Sequence, residues 1–175
     1  MTTYEFEGRK PDIDESSYIS KSAEVIGDVK IGKNCFIAPG AKIKGDYGTV
    51  KIGDNTNVQE NCVIHARPDE VTTIGDWVII GHGAIIHGPT IKDWAVIGMG
   101  AIISDFAVIG EWSVVGEGAV VTSGTEIPDE NVAVGTPAKV IKQINEDYKE
   151  KWKEYKEIYR SFSWRYKENL KPLDE

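Results

Sequence analysis

Residues 74–127 read IGDWVIIGHGAIIHGPTIKDWAVIGMGAIISDFAVIGEWSVVGEGAVVTSGTEI. Aliphatic residues return every six positions at Ile74, Ile80 and Ile86. One step is a residue short, and the series continues through Ile91, Ile97, Ile103, Ile109, Val115, Val121 and Ile127. A helix repeats near 3.6 residues and a strand near two, so neither sustains a period of six. A parallel β-helix does. Each hexapeptide supplies one short strand and a corner, three complete a triangular coil, and coils stack about 4.8 Å apart.

The series extends upstream through Ile13, Ile19, Val25, Ile31, Ile37 and Ile43, then Ile52, Val58 and Ile64. Three extra residues precede Ile52 and four precede Ile74. A second register lies four residues after each aliphatic and is filled by small or medium side chains, among them Ala23, Cys35, Ala41, Cys62, Ala84, Ala101 and Ser113. These suit the tight inner side of a coil. Cys35 and Cys62 fall in this register, so they read as small buried hydrophobes rather than as a nucleophile or a redox pair. They fall on different faces, which argues against a disulfide between them.

The expected architecture is an all-β solenoid over residues 1–136, with an N-terminal strand or cap. A linker and α-helix over 137–175 complete the same structural unit. Tyr148, Trp152, Tyr155, Tyr159, Phe162 and Tyr166 form a helical stripe, more suited to covering the protein's own core than to binding a partner. Asn145 is placed to cap the helix, Glu146 and Asp147 suit its first turn, and Pro172 stops it. The basic residues between 149 and 156 alternate with acids and read as a solvated face.

A net charge of −8 and a pI near 5.0 argue against nucleic acid or an anionic membrane as partner. No apolar run reaches the length of a membrane span. The N-terminus lacks a signal pattern, and two cysteines suit a reducing cytoplasmic compartment.

The three histidines, His65, His82 and His87, lie close together in sequence. His65 follows Ile64 and His87 follows Ile86, which places them at equivalent points on one face of adjacent coils. His82, two residues after Ile80, lies on the preceding face. Five residues of extended chain, up to roughly 16 Å, separate it from His87. An ion with Zn–N distances of about 2.0–2.1 Å is then hard to share within one subunit. Two ligands from one subunit and one from its neighbour would make a cyclic trimer with a site at each interface. The plainer reading is three unrelated surface histidines; the stacked pair, the nearby third and the absence of any others favour a metal site.

Over nearly the whole chain, IKGDYGTVKIGDNTNVQENCVIH and IGHGAIIHG resemble the γ-class carbonic anhydrase family, closest to its carnitine-operon and phenylacetate-degradation branch. The resemblance implies a left-handed β-helix, a homotrimer, and zinc, ferrous iron or cobalt held by His65, His82 and His87. It implies reversible hydration of CO2 to bicarbonate, with Gln59 orienting a metal-held water and Asp46 ordering its surroundings. Lys44 stands where the family has arginine, and Glu60 where it has aspartate. A short base facing a long acid across the interface could preserve the pairing. Tyr159 resembles the helix tyrosine that reaches the family's site. Rival readings are an acyltransferase using one histidine as base, a CoA-thioesterase at the same ion, and a catalytically weak metal-bearing scaffold.

Overall fold

The computed structural model describes residues 2–173. The six-residue series becomes a parallel β-solenoid whose coils present three faces. The third face carries seven parallel rungs: Tyr18–Ile19, Phe36–Ile37, Asn57–Val58, Ile79–Ile80, Val96–Ile97, Val114–Val115 and Asn131–Val134. The first face is built on Val63–His65, Ile85–His87, Ile102–Ile103 and Val120–Val121, and the second on Val71–Ile74, Thr90–Ile91, Val108–Ile109 and Glu126–Ile127. Two long strands, Glu24–Ile31 and Lys42–Ile52, bend through the corner and join these two faces into one sheet. Both extra-length segments of the sequence fall at this corner.

Each aliphatic of the series from Ile19 to Ile127 points inward and is almost wholly buried, with Ile13 half-buried at the open end. The small residues four positions on are buried beside them, and only Thr125 remains half-open. Cys35 and Cys62 are free and buried, and their thiols donate to the carbonyls of Gly53 and Gly81. Burial pushes them up to about 12 and about 11, which leaves both inert at neutral pH.

One corner carries two ladders. In the first, an Asp side chain accepts the backbone N–H of the coil before it: Lys33 N–H donates to Asp54 at 2.7 Å, Asp54 N–H to Asp76 at 2.7 Å and Asp76 N–H to Asp93 at 2.8 Å. The second is a column of indoles, Trp77 on Trp94 at 4.9 Å and Trp94 on Trp112 at 4.6 Å, nearly parallel. All three tryptophans sit in the left-handed region, at φ of 57°, 62° and 59°. Bulky side chains avoid that region, so stacking and the overlying helix must offset its cost.

After the last rung, Lys139–Gln143 folds back antiparallel on Asn131–Val134, forming a strand in a stretch read as linker. The helix then runs Glu146–Asn169, and its Asn145 side chain accepts the Tyr148 N–H at 2.9 Å, the cap expected from sequence. The helix lies along its own subunit's third face, where Phe162 and Tyr166 pack on Phe36, and Tyr166 on Tyr18.

Tyr148, Trp152, Tyr159, Phe162 and Tyr166 of the expected stripe are half-buried, but the stripe does not mark the centre of the seam. Tyr155 is mostly exposed, and the deepest residues are Lys156 and Ser163. Lys156 is therefore no part of a solvated face. Its Nζ donates to the Trp77 and Ala95 carbonyls at 2.5 and 3.2 Å, and it lies over the rings of Trp94 and Trp152. Lys149 lies over Trp112 and Arg160 over Trp77. Each rung of the indole column thus meets a cation from the helix, and those electron-rich faces rotate the seam toward position 156. Among the described residues, no helix is long and apolar enough to cross a membrane.

Candidate functional site

The first face aligns Lys44, His65 and His87 in register on three successive strands. Period two turns the residue after each buried isoleucine outward, so all three side chains project from the same face. The His65 and His87 rings stand 5.2 Å apart, centre to centre. Two imidazoles sharing one ion at about 2.0–2.1 Å per nitrogen, near the tetrahedral angle, would stand roughly 5 Å apart. The observed ring separation matches that value. Among the described residues of one subunit, no three His, Cys, Asp or Glu side chains converge into a metal cage. His82 projects from the corner between the third and first faces, in the turn between Ile79–Ile80 and Ile85–His87.

Each histidine has its own carboxylate. His65 Nε2 lies 2.7 Å from Asp46, His82 Nδ1 lies 2.6 Å from Glu60, and His87 Nδ1 lies 2.6 Å from Asp105. This pairing fixes a ring's orientation and leaves its other nitrogen for a ligand or a proton. The nitrogen left over is Nδ1 on His65 and Nε2 on His82 and His87.

Asp46 also receives Lys44 at 2.8 Å. Burial works against its charge, but the hydrogen bonds from Lys44 and His65 outweigh that and hold its carboxyl at about 2. The glycine before it is a matter of space: a Cβ on Gly45 would lie 2.2 Å from the Asp28 carbonyl. At Asp105, burial again opposes the charge, while His87 and Arg67 together hold its carboxyl below the usual range. Gln59 is buried, and its Oε1 accepts the His82 backbone N–H at 3.2 Å, which leaves its Nε2 as a donor.

The structure thus brings Lys44, Asp46, His65 and His87 together and ties Gln59 and Glu60 to His82. Within the subunit, Lys44 and Glu60 are engaged separately, by Asp46 and His82. Tyr159 packs edge-on against Phe162 along the helix and, among the described residues of one subunit, shows no contact with a histidine. Sequence reasoning missed Asp105, Arg67 and Phe106. Asp105 lies 18 residues after His87 in the following coil, a separation that coil counting could have flagged. Arg67 donates to its second oxygen at 3.0 Å and lies over the Phe106 ring.

The family model described as bacterial transferase hexapeptide (six repeats) matches residues 10–45. The carnitine operon protein CaiE of Escherichia coli is 36% identical over 84% of this chain and 75% of its own length. Among solved structures, the BC4754 product of Bacillus cereus, a conjectured acetyltransferase, is 35% identical. It covers 95% of this chain and 98% of its own, with a TM-score of 0.93. A hexapeptide transferase family protein from Anaplasma phagocytophilum is 34% identical over 93% of this chain and 96% of its own, with a TM-score of 0.89. With its repeat, its coils and a CaiE-like sequence over most of its length, the chain belongs to the hexapeptide-repeat family, in the γ-class carbonic anhydrase-like branch that holds CaiE.

Proposed function

We propose that the chain is a γ-type carbonic anhydrase-like enzyme that interconverts CO2 and bicarbonate at subunit interfaces of a homotrimer. The observation that carries this reading is the set of three histidines, each oriented by its own carboxylate, two of them in register on adjacent strands with ring centres 5.2 Å apart. His65 and His87 of one subunit and His82 of a neighbour would hold zinc, ferrous iron or cobalt. When bound, such an ion supplies hydroxide at neutral pH by lowering the pKa of water to about 7.

The protein's own groups do the rest. Gln59, its carbonyl held by the His82 backbone, would offer its amide N–H groups to the reacting oxygen. Asp46 stays ionised and fixes both His65 and Lys44. The released proton passes to solvent. Val63, Ile85 and Ile102 form an exposed apolar column on the histidine face, which suits a subunit boundary.

Acyl transfer is the second reading, favoured by the transferase descriptions of the Bacillus and Anaplasma proteins. A histidine–carboxylate pair also suits a general base. The test measures oligomeric state, metal content and stopped-flow CO2 hydration on zinc-, cobalt- and anaerobic iron-loaded protein, beside His82→Ala. Metal-dependent hydration that is lost in the variant supports the first reading. A fully metallated trimer without hydration rejects it. Acetyl-CoA turnover by metal-free protein that depends on an added amine or hydroxyl acceptor would then establish transfer, metal-dependent CoA release without an acceptor would establish thioester hydrolysis, and inertness in both would leave a scaffold.

A further inference from the structure

The candidate site is crowded with negative charge: Asp46, Glu60 and Asp105 all sit on its histidines. An anion entering it needs a cation with donors to spare. Lys44 is occupied by Asp46 at 2.8 Å. Arg67 is differently placed. It stands two residues after His65, on the other oxygen of the carboxylate that holds His87, with its side chain about half exposed. The Phe106 ring lies against its guanidinium at 5.4 Å. One N–H goes to Asp105, and among the described residues the remaining donors of the fork have no partner.

We propose that Arg67 is the anion-positioning residue of this site, its fixed guanidinium gripping the oxygens of a planar carboxylate-like species such as bicarbonate. The proposal rests on the carbonic anhydrase reading for the identity of that species, but not for the grip itself. Asp105 then has two tasks, orienting His87 and parking the fork beside it. A lysine at position 67 would keep the charge and lose the two-point contact.

The test is calorimetric titration of sodium formate into the purified protein, with and without added zinc, for wild type, Arg67→Ala and Arg67→Lys. The side chain is about half exposed, so the variants should keep the fold, which circular dichroism checks. Arg67→Ala should weaken formate binding at least roughly tenfold, the loss of one charge-assisted two-point contact, and Arg67→Lys should fall between. In the kinetic assay, Arg67→Ala should raise KM for bicarbonate and leave kcat within a few-fold. Formate binding within twofold of wild type in Arg67→Ala overturns the proposal, as does a wild-type protein that binds no formate. Arg67-dependent formate binding by a protein that does not exchange CO2 and bicarbonate overturns only the carbonic anhydrase reading.

Discussion

Replacing Lys156 by methionine tests the contact between helix and solenoid. The ammonium is sealed beneath the helix at 2% exposure. Burial pushes it from 10.5 down to about 7. Below pH 7 both folded and unfolded chains hold the proton, and the folded state bears the whole cost of burying it. Between pH 7 and about 10.5 the unfolded lysine stays protonated while the folded one sheds its proton. Stability therefore rises with pH in that window, by up to ~1.36 kcal/mol per unit and roughly 5 kcal/mol in all. The carbonyls of Trp77 and Ala95 and two indole faces favour the charged form, so the observed span should fall below that ceiling. Lys156→Met has no such titration. Urea unfolding at fixed protein concentration, followed by circular dichroism from pH 6 to 10, should show the variant's stability relative to wild type falling steadily as pH rises. A difference that stays constant across the range would refute the reasoning.

Three further outcomes are expected. Asp76→Ala strips the Asp54 N–H of its acceptor and should cost about 1–2 kcal/mol in urea unfolding, whereas exposed Glu126→Ala should cost little. Ile86→Ala, at a fully buried rung, should cost about 2–5 kcal/mol; Ile85→Ala, pointing outward, should spare the coil and show its effect in subunit association by analytical ultracentrifugation. Glu60→Gln should weaken zinc affinity about 10- to 100-fold with an unchanged fold, measured by chelator competition, because His82 loses the carboxylate on its Nδ1.

The core was legible in the sequence because its constraint is one-dimensional. A buried aliphatic every sixth residue leaves few other solutions, and the stacking of His65 on His87 follows from the same count once the four inserted residues are allowed for. The helix and its Asn145 cap were legible for similar reasons, being local. The partners of the histidines were less so. Asp105 lies one 18-residue coil beyond His87 and was open to counting, but Arg67 reaches Asp105 through corner geometry, which the period does not specify. Lys156 looked like a solvent-facing cation because alternation with acids is a local pattern, whereas the Trp94 ring and the Ala95 and Trp77 carbonyls that draw it inward lie 61 to 79 residues away. The return strand Lys139–Gln143 escaped notice because it buries none of its side chains and so carries no apolar alternation.

The indole column has an optical consequence. Rings stacked at 4.6–4.9 Å and nearly parallel couple their electronic transitions. Four of the chain's five tryptophans, Trp77, Trp94, Trp112 and Trp152, belong to this one clasp between helix and solenoid. The coupled dichroism of the column reports on the solenoid corner, while tryptophan emission responds to seating of the helix through Trp152 and the helix side chains that lie over the rings. The protein carries its own spectroscopic gauge of that joint, well apart from the face that holds the histidines.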